Sequence, residues 1–298
     1  MKRVLITGAN SYIGTSFEKY IKENYPNDFE IDTVDMIGGA WREKSFAGYD
    51  SVFHVAGIAH SDNGKISAEK EKLYYAINTD LTIETAKKAK ADGVKQFIFM
   101  SSAIVYGNSA PIGKSKVITR ETAVSPANCY GDSKVQAENG LLPLNDDSFK
   151  VVILRPPMIY GKGSKGNYPV LAKMALKLPI FPYIKNERSM LYIENLTEFV
   201  RLMIVNEESG IFFPQNSEYS NTSELVKMIA ECHGKNVRLV RGFTWAVKFI
   251  GLFTGLVNKA FGNLSYDMII SEYKVMYRLI DLRDSIKETE FKCVNTVY

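Results

Sequence analysis

Ser102, Tyr130 and Lys134 bring a hydroxyl, a phenol and an amine into a pattern that can serve hydride chemistry. Tyr130 and Lys134 are four residues apart, which on a helix puts both on one face, a turn apart. An ammonium held there favours the phenolate and moves a group of free pKa about 10 toward proton exchange near neutrality. Ser102 follows Gln96-Phe-Ile-Phe-Met100, an apolar run with the character of a buried strand, and so lies at a strand's carboxyl end, where open α/β sheets bind ligands. A tyrosine and a lysine at this spacing are common at the edge of any core, so the pair needs context.

The preceding chain supplies it. Arg3 to Thr7 has a strand pattern, and Thr7-Gly8-Ala9-Asn10-Ser11-Tyr12-Ile13-Gly14 leads into a helical run from about Ser16 to Asn24. A glycine turn between a first strand and a first helix sets backbone N–H groups at the helix's positive end, ready for a pyrophosphate; Gly8, Asn10, Ser11, Tyr12, Ile13 and Gly14 are the expected contacts. Glu30 to Val34 forms a second strand ending in Asp35, 21 residues after Gly14. A carboxylate there can bond both ribose hydroxyls of an adenosine and repels a 2′-phosphate, which favours NAD, while Arg42 and Lys44 keep NADP open. Ser51 to Val55 ends in Ala56-Gly57, small enough for a flat ring to lie on the backbone. Ser67 to Ala91 has helical spacing and carries Asn78, which either points at the site or makes a local polar contact. Val151 to Leu154 delivers Arg155-Pro156-Pro157 to the same rim, and Pro157 joins the cofactor set. Strands alternating with helices imply an α/β, doubly wound, Rossmann-like parallel sheet.

After Gly161 the rhythm changes. Gly163-Ser164-Lys165-Gly166 marks a flexible connection, followed by a helix from Asn167 to about Lys177, an extended Leu178 to Pro182, a short strand Arg188 to Ile193, and helices Asn195 to Asn206 and Ser223 to Cys232, the last capped by Thr222 or Ser223. The expected organisation is a dinucleotide-binding domain over 1–162 and a smaller, interwoven substrate lobe over 163–298, with elements returning to the sheet. At 46% hydrophobic content the 298 residues can bury a sizeable core, and 37 basic against 33 acidic residues leave +4, with no long run of one sign to suggest nucleic acid. Cys129, Cys232 and Cys293 have neither metal-site spacing nor disulfide density, which fits a reduced cytoplasm. The apolar start is too short for a signal peptide. Phe243 to Phe261, interrupted by Lys248, Asn258 and Lys259, is too broken for a membrane span; an amphipathic helix packed on the protein is the favoured expectation and peripheral membrane contact the lesser one.

Thr7-Gly8…Gly14, His54-Val-Ala-Gly57, Asn78, Ser101-Ser-Ala-Ile-Val-Tyr-Gly107, Tyr130-x-x-x-Lys134 and Arg155-Pro156…Tyr160-Gly161 together resemble the extended short-chain dehydrogenase/reductases, the NAD-dependent nucleotide-sugar epimerases, dehydratases and reductases. The resemblance implies that Tyr130 is the general acid/base, that Lys134 binds the nicotinamide ribose and lowers the phenol's pKa, and that Ser102 bonds the reacting sugar oxygen. It also implies that Asn167 and Arg188 hold the substrate's phosphates while Phe181 stacks its base. It implies NAD-linked chemistry at C4 of a UDP-sugar, by a 4-epimerase or a 4-keto reductase of the capsule and O-antigen subgroup, and a homodimer paired through the helices of Asn78 and Tyr130. A non-catalytic NAD(P) sensor of the same fold is the alternative from another class, and such proteins tend to lose the tyrosine–lysine pair kept here. Three departures stand out. Ser11 replaces the middle glycine of the phosphate loop, the Asp-containing third-strand motif is absent, and Ala103-Ile104 replaces the acid and base that dehydratases carry beside the active hydroxyl, so no dehydratase activity is expected.

Overall fold

The computed structural model describes residues 1–59, 66–245, 247, 249 and 255–291. By its contacts the chain forms two compact units: Met1–Gly107, Ala123–Pro156 and Leu196–Pro214 make the first, and Asn108–Thr122, Pro157–Asn195 and Gln215–Tyr298 the second. Relative to a boundary after residue 162, residues 108–122 and 157–162 fall in the second unit and 196–214 in the first.

In the first unit, β1 (Lys2–Thr7), β2 (Phe29–Val34), β3 (Ser51–His54), β4 (Gln96–Met100), β5 (Lys150–Leu154) and β6 (Gly210–Phe212) form one sheet in the order β6-β5-β4-β3-β1-β2. Every neighbouring pair is parallel. Its central strands are near-continuous apolar runs, as sheets covered on both faces require. Leu5, Phe53, Phe97, Phe99 and Ile153 are fully buried. The order reverses between β1 and β3, so the crevice for a ligand opens beyond their carboxyl ends. Helix α1 (Tyr12–Asn24) follows β1 and buries Phe17, Tyr20 and Ile21, one helical face. Between β3 and β4 the chain runs through α2 (Ala68–Tyr74), a π-helical turn over Tyr75–Asp80 and α3 (Leu81–Ala91), so the expected long helix is interrupted at Asn78. Helix α4 (Cys129–Leu141) carries Tyr130 and Lys134 and is capped by Asn128, whose Oδ1 accepts the Gly131 N–H at 2.8 Å.

The second unit contains three short parallel strand pairs and helices over Asn167–Lys177, Thr222–Cys232, Gly255–Phe261 and Leu282–Phe291. The cap of Thr222–Cys232 is Asn221, not Thr222 or Ser223: its Oδ1 accepts the Ser223 and Glu224 N–H groups at 2.9 and 3.1 Å. The two hydroxyls expected to cap donate instead to the Ala260 and Pro182 carbonyls. Within 243–261, residues 246, 248 and 250–254 lie outside the described residues, as does Cys293. Within this stretch Trp245 and Phe249 are 73% and 60% exposed. Among the described residues no helix is long and apolar enough to cross a membrane, and no group of side chains could hold a metal ion.

Candidate active site

The turn from β1 to α1 has the backbone that its residues permit. Gly8 lies at φ +96°, and a Cβ there would sit 2.8 Å from the Ala56 nitrogen, so only glycine lets this turn close against the chain leaving β3. Asn10, at φ +64°, takes the left-handed conformation that asparagine tolerates. Ser11 occupies no glycine-requiring position: it is extended at φ −71°, and its hydroxyl accepts the Gly14 N–H at 3.2 Å as the cap of α1. That cap starts the helix at Tyr12, four residues earlier than its apolar pattern suggests. The positive end of α1 lies at this turn, where the Ser11 N–H donates to Gly8 O at 3.2 Å and the Gly14 N–H is taken by the cap. Asp35 is exposed just past β2, with Oδ1 accepting the Ile37 N–H at 2.9 Å. Trp41, which is 2% exposed, fills the core beside it. Arg42 lies over the Trp41 ring at 4.6 Å and pairs with Glu84, so this cation already has an anionic partner.

Across the reversal point, Ala56 and Gly57 follow β3. A Cβ on Gly57 would lie 3.0 Å from Asn78 Oδ1 and 3.5 Å from Lys134 Nζ. Asn78 is fully buried and clamps this loop: Oδ1 accepts the Ile58 N–H at 2.9 Å, and Nδ2 donates to Ile58 O and Ser133 Oγ at 3.1 and 3.2 Å. Of its two expected roles, the local contact is the one the geometry shows.

Lys134 is 6% exposed; its ammonium donates to Met100 O at 2.8 Å and lies 4.5 Å from the Phe99 ring centroid. Burial pulls its pKa down to about 8, against a smaller opposing pull from Glu138. Tyr130 is half-buried, 5.9 Å from the Tyr74 ring, with the Ser102 hydroxyl beside its phenol. Burial pushes the phenol's pKa up, with the Ser102 hydroxyl acting the other way. The expected lowering of this pKa by Lys134 is therefore corrected: the ammonium is seated on the β4 carbonyl, and desolvation dominates at the phenol. His54, fully buried between Thr7 and Thr82 at 2.7 and 3.0 Å, is held neutral by burial, its pKa lowered to about 3.

Behind the pair lies a buried network that motif reading passed over. Glu138 Oε1 accepts the Ser101 hydroxyl and, at 3.1 Å, the Arg155 Nε–H; Arg155 Nη1 donates to the Tyr106 hydroxyl at 2.7 Å. Glu138 and Arg155 side chains are 3% and 10% exposed. This ties α4 to the ends of β4 and β5 and to the turn after Ser102. Glu138 lies four residues past Lys134 on the same face, a spacing that could have marked it.

The remaining expected residues fall in the second unit. Asn167 is exposed at the start of its helix and Pro157 is half-buried. Phe181 is 4% exposed, its ring 5.7 Å from that of Phe261. Arg188 Nη1 donates to the carbonyls of Lys259 and Gly262 at 2.6 and 3.2 Å, satisfying the end of helix Gly255–Phe261. Desolvation lowers its pKa to about 10.

A parallel sheet reversing beside a glycine turn, an acid past β2 and a lysine–tyrosine pair past β4 define a dinucleotide-binding α/β protein. The model of the NAD dependent epimerase/dehydratase family matches residues 4–212, and the chain belongs to that family. It is 30% identical over 290 residues to a UDP-glucose 4-epimerase of Vibrio cholerae, covering 90% of this chain and 88% of the relative. It is 27% identical over 254 residues to an N-acetyl-α-D-glucosaminyl-diphospho-ditrans,octacis-undecaprenol 4-epimerase of Escherichia coli O157:H7, covering 78% and 73%. In fold it is similar to a dTDP-4-dehydrorhamnose reductase of Clostridium acetobutylicum (TM-score 0.72, 18% identity, 96% and 98% covered). A UDP-glucuronic acid 4-epimerase of Bacillus cereus in complex with NAD is another such neighbour (TM-score 0.71, 16% identity, 97% and 95% covered).

Proposed function

We propose that the protein uses NAD(P) to act at C4 of a UDP-linked sugar, as a 4-epimerase or a 4-keto-sugar reductase. The observation that carries this reading is the buried Lys134 ammonium, held on the Met100 carbonyl one helical turn past Tyr130, whose phenol has the Ser102 hydroxyl beside it. The first unit suits a dinucleotide: the glycine turn and the positive end of α1 would receive the pyrophosphate, Asp35 the adenosine ribose, and the backbone at Ala56-Gly57 the nicotinamide half. When bound, the nicotinamide accepts or supplies the hydride. Ser102 orients the sugar oxygen. Tyr130 gives that oxygen a proton in reduction or takes one in oxidation, and its raised pKa keeps it protonated at rest, ready for the reductive direction. Lys134 holds the nicotinamide ribose. Ala103 and Ile104 carry no proton, so loss of water across C5 and C6 does not follow.

Cytoplasmic work on precursors of surface polysaccharide, Asn167 as a phosphate contact, Pro157 as a cofactor contact, and pairing of two copies through the helical segments of Asn78 and Tyr130 belong to the same reading. A panel of UDP-sugars and their 4-keto forms, followed by NMR with NAD, NADH and NADPH added separately, tests it. Interconversion of C4 epimers with carried-over cofactor marks an epimerase; turnover only with added reduced cofactor marks a reductase. Absence of any sugar-dependent change would overturn the catalytic reading in favour of a sensor.

A further inference from the structure

The aromatic, basic segment of the second unit around Trp245 supplies no residue to the chemistry proposed above. Between Glu231 and Asp267 the sequence holds no acidic residue but five cations, Lys235, Arg238, Arg241, Lys248 and Lys259. The whole chain carries only +4, so its positive excess is concentrated here. Within this segment Phe243, Trp245 and Phe249 are 52%, 73% and 60% exposed. Trp245, Val247 and Phe249 are helical, and the Val247 N–H donates to Phe243 O at 3.0 Å. Trp245 and Phe249, four apart, therefore share one outward face, while Val247 is half-buried. Lys235, Arg238 and Arg241 are exposed in the chain leading to it, with Arg241 lying 5.1 Å from the centroid of the Tyr183 ring.

We propose that this segment docks the protein peripherally on an anionic membrane surface. Bulky aromatics on one face of a helix flanked by lysine and arginine suit the boundary between headgroups and acyl chains, where the rings leave water and the cations meet acidic lipids. A second copy of the chain fits poorly, because a two-fold pairing would set this positive segment against itself. The docking is reversible and needs no spanning helix.

The chain contains two tryptophans, and Trp41 is 2% exposed, so Trp245 reports on its own surroundings. The full-length protein is mixed with phosphatidylcholine vesicles, with or without phosphatidylglycerol, and followed by flotation and tryptophan emission. Only the anionic vesicles carry the protein up the gradient, with a blue-shifted emission quenched by lipids brominated in the acyl chain and a partition that falls as salt rises. The Arg238→Glu/Arg241→Glu variant partitions at least about tenfold less, as does Trp245→Glu/Phe249→Glu, both with unchanged melting temperature. No partition onto anionic vesicles, or no change in emission on wild-type protein, overturns the proposal independently of any variant. So does a wild-type dimer in light scattering that Trp245→Glu dissolves, which would give the face to a second copy.

Discussion

The Ser102–Tyr130–Lys134 cluster and the trio Asn167, Phe181 and Arg188 reach a functional reading by the same family pattern, yet the structure treats them differently. In the first unit the residues sit where backbone and burial demand their types. Gly8 lies at φ +96° against Ala56, and Lys134 is buried on a strand-end carbonyl. In the second unit Phe181 is packed against Phe261, and Arg188 caps a helix. A pattern that encodes a backbone constraint can be checked against the backbone itself. A single side-chain identity can also answer a local polar or apolar need.

The sharpest test of the contrast is Tyr130→Phe. If the phenol moves the proton, turnover falls by about 10²–10⁴ while dinucleotide binding, measured by calorimetry, is kept. A variant retaining near-full activity would move the chemistry elsewhere. Glu138→Ala follows: it strips a buried guanidinium of its partner and should cost about 3–5 kcal/mol in urea unfolding, through the network joining α4 to β4 and β5. A loss below about 1 kcal/mol would mean that the pair behaves as a solvated one.

Lys134 gives the contrast a pH signature. Its folded pKa, about 8, lies below the ordinary lysine value of 10.5. Between these values the unfolded chain binds more protons than the folded one, so this residue's contribution to stability rises with pH across that window and is a cost below it. Lys134→Met should then unfold no more easily than wild type at pH 7 and lose ground to it toward pH 10, while turnover is lost throughout. Equal pH slopes for the two proteins would show that the amine is not desolvated.

Arg188→Ala probes the other region. The variant leaves the carbonyls of Lys259 and Gly262 without this donor and should cost about 1–3 kcal/mol of stability with sugar nucleotide absent. A normal melting temperature combined with a raised KM would favour the phosphate-binding role that the resemblance implies.

Local patterns made the frame legible. Gln96–Met100 is a strand over the expected residues because five consecutive apolar or amide side chains suit a strand buried on both faces. What stayed hidden depends on contacts distant in sequence. Asn78 could not be oriented without knowing that Ile58 lies opposite, and Glu138 acquires meaning only when β5 brings Arg155 to it. Asn221 was displaced by two hydroxyls that look like better caps until Ala260 and Pro182 are seen to accept from them.

Ser11 makes the smallest and most discriminating case. The family pattern has glycine at this position, and two explanations for serine compete: that its side chain contacts the pyrophosphate, or that it serves the helix alone. Its extended φ of −71° removes any conformational need for glycine, and the hydroxyl's bond to the Gly14 N–H makes it an N-cap. Glycine is nearly as good a cap as serine and alanine is much worse. Ser11→Ala should therefore cost about 1 kcal/mol and Ser11→Gly only a few tenths, with NAD affinity the same in both once unfolded protein is discounted. If NAD affinity instead falls equally in the two variants while stability is unchanged, the hydroxyl belongs to the cofactor, and this turn binds its anion by side chain as well as by backbone.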